Sequence, residues 1–151
     1  MKKLLAIVDQ LGAYVPNSEQ ADNAISEVNI AWHIEHACLV IIKITETIKQ
    51  SKPQQYNSKF NFKKLFVFIT GKFPRGRAKA PAAVMPQSQI DQAVLIDSIE
   101  KAKQAISELN NCAKNQFFLH PIFGNLNKRQ TLHFLGIHTK HHLRIIQDII
   151  K

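Results

Sequence analysis

The chain has 151 residues, 45% of them hydrophobic and 21% charged, with 20 Lys and Arg against 11 Asp and Glu. That is the length of a single domain, residues 1–151, with enough apolar residues for a real core. The formal charge of +9 favours acidic ligands or nucleic acid as partners without deciding between them, and two cysteines exclude a disulfide framework and fit a reducing compartment.

Lys2 to Ala13 predicts a first helix, closed near Gly12 and Pro16. Its opening, Met1-Lys2-Lys3 followed by Leu4 to Val8, resembles a signal peptide, but Asp9 and Gln10 end the apolar run short of the roughly seven to fifteen residues a secretory segment needs. No apolar stretch reaches the ~18 residues that span a bilayer. The expectation is therefore a soluble, cytoplasmic protein with no membrane partner. Residues 16–28 are polar and irregular. A second helix is predicted from an Asn29 cap to Gln50, before Pro53, and it is apolar around most of its circumference.

Phe60 to Thr70 reads as a short helix, with Phe66-Val67-Phe68-Ile69 leaving a strand open. Gly71 to Pro86 holds Gly71, Pro74, Gly76, Pro81 and Pro86 and reads as a loop. Gln87 to Asn111 predicts a long helix with Ile90, Val94, Leu95, Ile99, Ala102 and Leu109 inward. Cys112 to Asn127 is a connection containing His120-Pro121-Ile122-Phe123-Gly124. From an Asn127 cap, a last helix runs to the C-terminus. With no clear strand-turn-strand signal and no internal repeat, the expected class is all-α. The expected architecture is an up-and-down four-helix bundle with a short extra helix or irregular segment.

The last helix carries His138, His141 and His142. Positions four apart lie within roughly 40° of each other on a helix, so His138 and His142 point the same way. His142 falls within the core-facing stripe of Leu135, Ile146 and Ile149. Imidazoles in that stripe need partners, because unpaired buried polar groups are costly. With His36 from the second helix they form a three-histidine face that leaves positions open for water or substrate, the pattern of a catalytic site. Imidazole suits zinc, nickel, copper or iron(II), so spacing does not name the metal. Ordinary core histidines are the competing reading, since His-x-x-x-His is a weak motif. His36 adds a difficulty: it shares a helix face with Trp32, Lys43 and Thr47, which either lines a polar pocket or faces solvent.

His33 is a fourth ligand or a neighbour, and His141 is a candidate for orienting a ligand or moving a proton. His133 reads as solvated, with Lys140 and Arg144, and His120 as a structural cap. Glu35, about 100° from His36 around the helix, reads as a solvated or paired charge. Cys38 reads as a small buried residue. No Glu lies within the His-x-x-x-His, which excludes the metalloprotease motif.

His120-Pro-Ile-Phe-Gly124, His138-Thr-Lys-His141-His142-Leu-Arg144, Trp32-His-Ile-Glu-His36-Ala-Cys38 and the loop Phe73 to Pro81 together resemble an uncharacterised branch of the DinB-like superfamily, also called YfiT-like metal-dependent enzymes. The resemblance runs from about Asn29 onward. It implies a four-helix bundle and a divalent metal, nickel or zinc, on a histidine triad that falls on His36, His138 and His142. It also implies action on low-molecular-weight thiols, or hydrolase activity by analogy. The catalytic residues beyond the triad are not implied. The basic loop of Lys72, Arg75, Arg77 and Lys79 could draw an anionic small-molecule substrate to the site, or could be a solvated turn. Two alternatives stand beside the enzyme. One is a non-catalytic basic bundle that binds nucleic acid or a protein, although the chain has no helix-turn-helix and its aromatics are not interleaved with basic residues. The other is a decayed site in a bundle that works through homodimerisation.

Overall fold

A computed structural model of the chain describes residues 1–73, 81–86 and 89–151. The described residues are mostly helical. They form helices α1 (Lys2–Gly12), α2 (Ile30–Gln50), α3 (Phe62–Thr70), α4 (Gln92–Glu108) and α5 (Lys128–Ile149), and one antiparallel hairpin, β1 (Phe117–His120) with β2 (Gly124–Asn127).

Helix α1 buries Leu4, Val8 and Leu11, a 3.6-residue stripe, against α4 and α5. The segment that follows is irregular, as its composition predicts, but it is tied to α2: the amides of Ile30 and Ala31 donate to the carbonyls of Gln20 and Ser18. Asn29 caps α2 by accepting from the Trp32 amide at 3.0 Å. Helix α2 packs against both α4 and α5 and is buried along most of its length, from Ile30 to Ile48. The helix expected at Phe60–Thr70 is a helix, α3; Asn61 caps it, and Gly71 closes it at φ 62°, a left-handed conformation that glycine adopts without strain.

The long helix starts later than its composition predicts, because the Asp91 carboxylate caps it by accepting from the Val94 amide. Val94, expected inward, is 42% exposed, three positions past that cap. The larger departure is the hairpin. Its strands have four residues each and no β-branched residue, and Phe117-Phe118 is too short a strand-forming run to announce a hairpin. It is held from outside: the Phe117 amide donates to Ser51 Oγ, Asn125 Nδ2 donates to the Asn57 carbonyl, and Gly124 turns the chain at φ 71°. Helix α5 begins where predicted, with Asn127 and Gln130 forming a reciprocal capping box. No helix among the described residues is long and apolar enough to cross a membrane.

Candidate metal centre

Three helical turns bring the predicted histidines together. His36 comes from α2; His138 and His142 come from successive turns of α5. Their ligand atoms all lie within 4.8 Å of one another. The ring centroids stand 4.7 Å (His138–His142), 4.8 Å (His36–His142) and 5.3 Å (His36–His138) apart. Nitrogens bound at 2.0–2.1 Å on a tetrahedral ion sit about 3.3 Å from each other, so a modest inward turn of the rings closes the triad on an ion. The three histidines could hold a metal ion.

The doubt about His36 is settled by burial. It is 4% exposed, whereas Lys43, further along the same face, is exposed. The face is enclosed at its N-terminal end and open at its C-terminal end. Trp32 stacks on His36 at 4.8 Å between ring centroids, with an interplanar angle of 16°. His36 Nδ1–H donates to the Val84 carbonyl at 2.8 Å, which leaves Nε2 free to face the other two rings. A backbone carbonyl in that role is how ligating histidines are commonly oriented. No sequence signal pointed to Val84, which sits in a short 3₁₀ turn 48 positions away.

His142 is 7% exposed and shares an Nδ1···Nδ1 hydrogen bond of 3.0 Å with His33, whose Nε2 lies 3.0 Å from Ser26 Oγ. His33 is therefore a partner that fixes a ring of the triad. His138 keeps part of its surface exposed, but its Nδ1 is enclosed and has no hydrogen-bond partner among the described residues. An enclosed imidazole nitrogen without a partner is the feature a coordinated ion would relieve. Burial pushes the pKa of all three rings below the ordinary histidine value, strongly at His138 and His142, and repulsion among neighbouring imidazolium forms adds to it at those two. The rings are neutral at pH 7, the form that ligates.

The remaining residues sort by position. His120 is a cap, as expected: its Nδ1 accepts from the Ile122 and Phe123 amides, and burial lowers its pKa to about 4. His133 is exposed, as expected, but its ring stacks on Phe68 at 4.8 Å and so joins α5 to α3. Glu35 departs from expectation. It is 7% exposed and faces α4 near Ser98, and burial raises its pKa. Cys38 is fully buried, and burial lifts its thiol far above the ordinary range, which leaves it unreactive.

Two hollows flank the triad. Trp32 lines an 820 Å³ cleft with Glu19, Asn29, Pro86, Ile90 and Asp91. On the other side, Lys72, Phe73, His141 and Arg144 line a 240 Å³ recess. The His141 ring lies 5.2 Å from His142, and Phe73 lies 6.3 Å from His138. Of the basic loop predicted to draw a substrate, Lys72 lines this recess; Arg75, Arg77 and Lys79 lie outside the described residues.

A protein-family model described as "Protein of unknown function (DUF1569)" matches residues 62–148, more than half of the chain. The chain belongs to this family. The DUF1569 match spans α3, α4, the hairpin and most of α5, and so includes His138 and His142, whereas His36 and Trp32 precede it. No match was found among curated proteins, and none among solved structures.

Proposed function

We propose that this DUF1569 chain is a metal-dependent enzyme of the DinB-like superfamily, built on a four-helix bundle of α1, α2, α4 and α5. His36, His138 and His142 would hold one divalent ion, zinc or nickel. The observation that carries this reading is the enclosed triad, in which His138 Nδ1 has no other partner among the described residues. A bound ion would supply Lewis acidity, lowering the pKa of a coordinated water or thiol so that a nucleophile forms near neutral pH.

The protein's own residues supply orientation. The Val84 carbonyl fixes the His36 tautomer. With His142 ligating through Nε2, its Nδ1–H donates to His33 Nδ1, and His33 Nε2–H donates to Ser26 Oγ. Trp32 and Phe73 shield the rings from bulk water on two sides. Lys72 and Arg144 give the nearer recess positive charge, which suits a small substrate with an anionic group, hydrolysed or transferred through its thiol.

Elemental analysis of untagged protein tests the site. One zinc or nickel per chain is expected, and His142→Ala should abolish stoichiometric binding. If that variant retains one ion per chain at undiminished affinity, the assignment is wrong.

A further inference from the structure

Among the described residues, helix α3 is joined to the rest of the protein on one side only. Val67 is buried, and Phe68 packs on Phe123 and His133. At 100° per residue, Phe62, Leu65, Phe66 and Ile69 share the opposite side, and they are 72%, 43%, 56% and 75% exposed. Phe60, just before the helix, is 83% exposed. The patch continues to the hairpin tip, where Ile122 is 48% exposed and its carbonyl accepts from Asn61 Nδ2 at 2.8 Å. A contiguous apolar surface of this kind marks an interaction site.

Charge says what covers it. Residues 51–90 and 109–147 contain no Asp or Glu, although they hold most of the chain's 20 Lys and Arg. These stretches include α3, the hairpin and nearly all of α5. Around the apolar face, Lys59, Lys63 and Lys72 are exposed and Lys64 is half-buried. A second copy of the chain would set these lysines against its own, with no carboxylate from either stretch to pair them. A nucleic acid would match the charge, and Phe60, Phe62 and Phe66 offer rings, but the face is completed by Leu65, Ile69 and Ile122, which neither stack on a base nor hydrogen-bond to one. Acyl chains take aliphatic and aromatic side chains alike, and anionic headgroups take the lysines.

We propose that the outer face of α3 and the hairpin tip rest on an anionic lipid surface, making the protein peripherally membrane-associated. The apolar side chains enter the boundary between headgroups and acyl chains, about 5–10 Å deep, and the lysines lie at headgroup level. No spanning helix is needed, and the proposal does not depend on the metal centre.

The test is co-sedimentation of the full chain with vesicles. Phosphatidylcholine vesicles containing phosphatidylglycerol should pull the protein down, and pure phosphatidylcholine vesicles should do so far less. High salt should release it. Phe62→Ser with Phe66→Ser should weaken partitioning about tenfold or more, with an unchanged circular dichroism spectrum because both side chains are exposed. Lys63→Glu should weaken binding to the anionic vesicles alone. Failure to sediment with phosphatidylglycerol vesicles overturns the proposal, as does sedimentation that these substitutions leave unchanged. A dimer in analytical ultracentrifugation that dissociates in the Phe variant would assign the face to a second copy instead. A single-stranded oligonucleotide whose binding that variant abolishes would assign it to nucleic acid.

Discussion

Where α2 meets α5 the protein encloses imidazoles, and along α3 it exposes phenylalanines. Each arrangement reverses the ordinary distribution of side chains between interior and surface, but the costs fall in different places. An enclosed ring nitrogen without a partner weakens the folded state itself, because the unfolded chain can hydrate it. An exposed Phe costs little on folding, since it stays in water in both states; its cost is a tendency to associate. Substitution at the triad should therefore change the unfolding free energy, and substitution on the outer side of α3 should not.

The largest expected effect is at His138. In metal-stripped protein, His138→Leu should raise the unfolding free energy by about 1–3 kcal/mol, because an apolar side chain of similar size replaces an unpartnered nitrogen. Urea denaturation in the presence of a chelator measures it. Saturating zinc or nickel should reverse the ranking, adding about 2.7 kcal/mol to the unsubstituted protein at one hundred times the dissociation constant. A variant less stable than its parent without metal would break the contrast.

Helix α3 offers the sharper comparison, because adjacent residues stand on opposite sides of it. Val67→Ala should cost about 1–2 kcal/mol, and Phe66→Ser should stay within about 0.5 kcal/mol of the parent. Val67 is 6% exposed and Phe66 is 56% exposed. Equal losses in denaturation would mean that the outer side of α3 is packed in solution.

A further effect concerns the hairpin in acid. His120 has its pKa lowered from 6.5 to about 4, so the folded protein holds the ring neutral where the unfolded chain would protonate it. The resulting stability is fully present above pH 6.5 and is lost as pH falls from 6.5 toward 4. Protonation also removes the acceptor that Ile122 and Phe123 use. His120→Asn keeps an acceptor that does not titrate, so its stability should fall less over that interval in pH-dependent denaturation.

Two helix starts with side-chain caps were legible in the sequence, and the one at Asp91 was not. Asn29 and Asn127 each announce the helix that follows. The hairpin was not legible, because its strands are too short to show a pattern and are held by Ser51 and Asn57, more than sixty positions away. At the candidate centre, the spacing of His138 and His142 was readable because both lie on one helix. The environment of His36 was not, since its polar neighbours on α2 argue equally for pocket and solvent. Only the tertiary fold, by bringing Val84 and α5 against it, encloses that face. The exposed side of α3 was missed for a related reason: a run of Phe and Leu looks the same whether it meets the core or water.

The bond between His36 and Val84 makes one ring of the triad answer to a turn in the connection between α3 and α4. That ring's aim is borrowed from a stretch of backbone outside the helices that carry the triad. Lengthening or shortening this connection would re-aim His36 with all three histidines still in place.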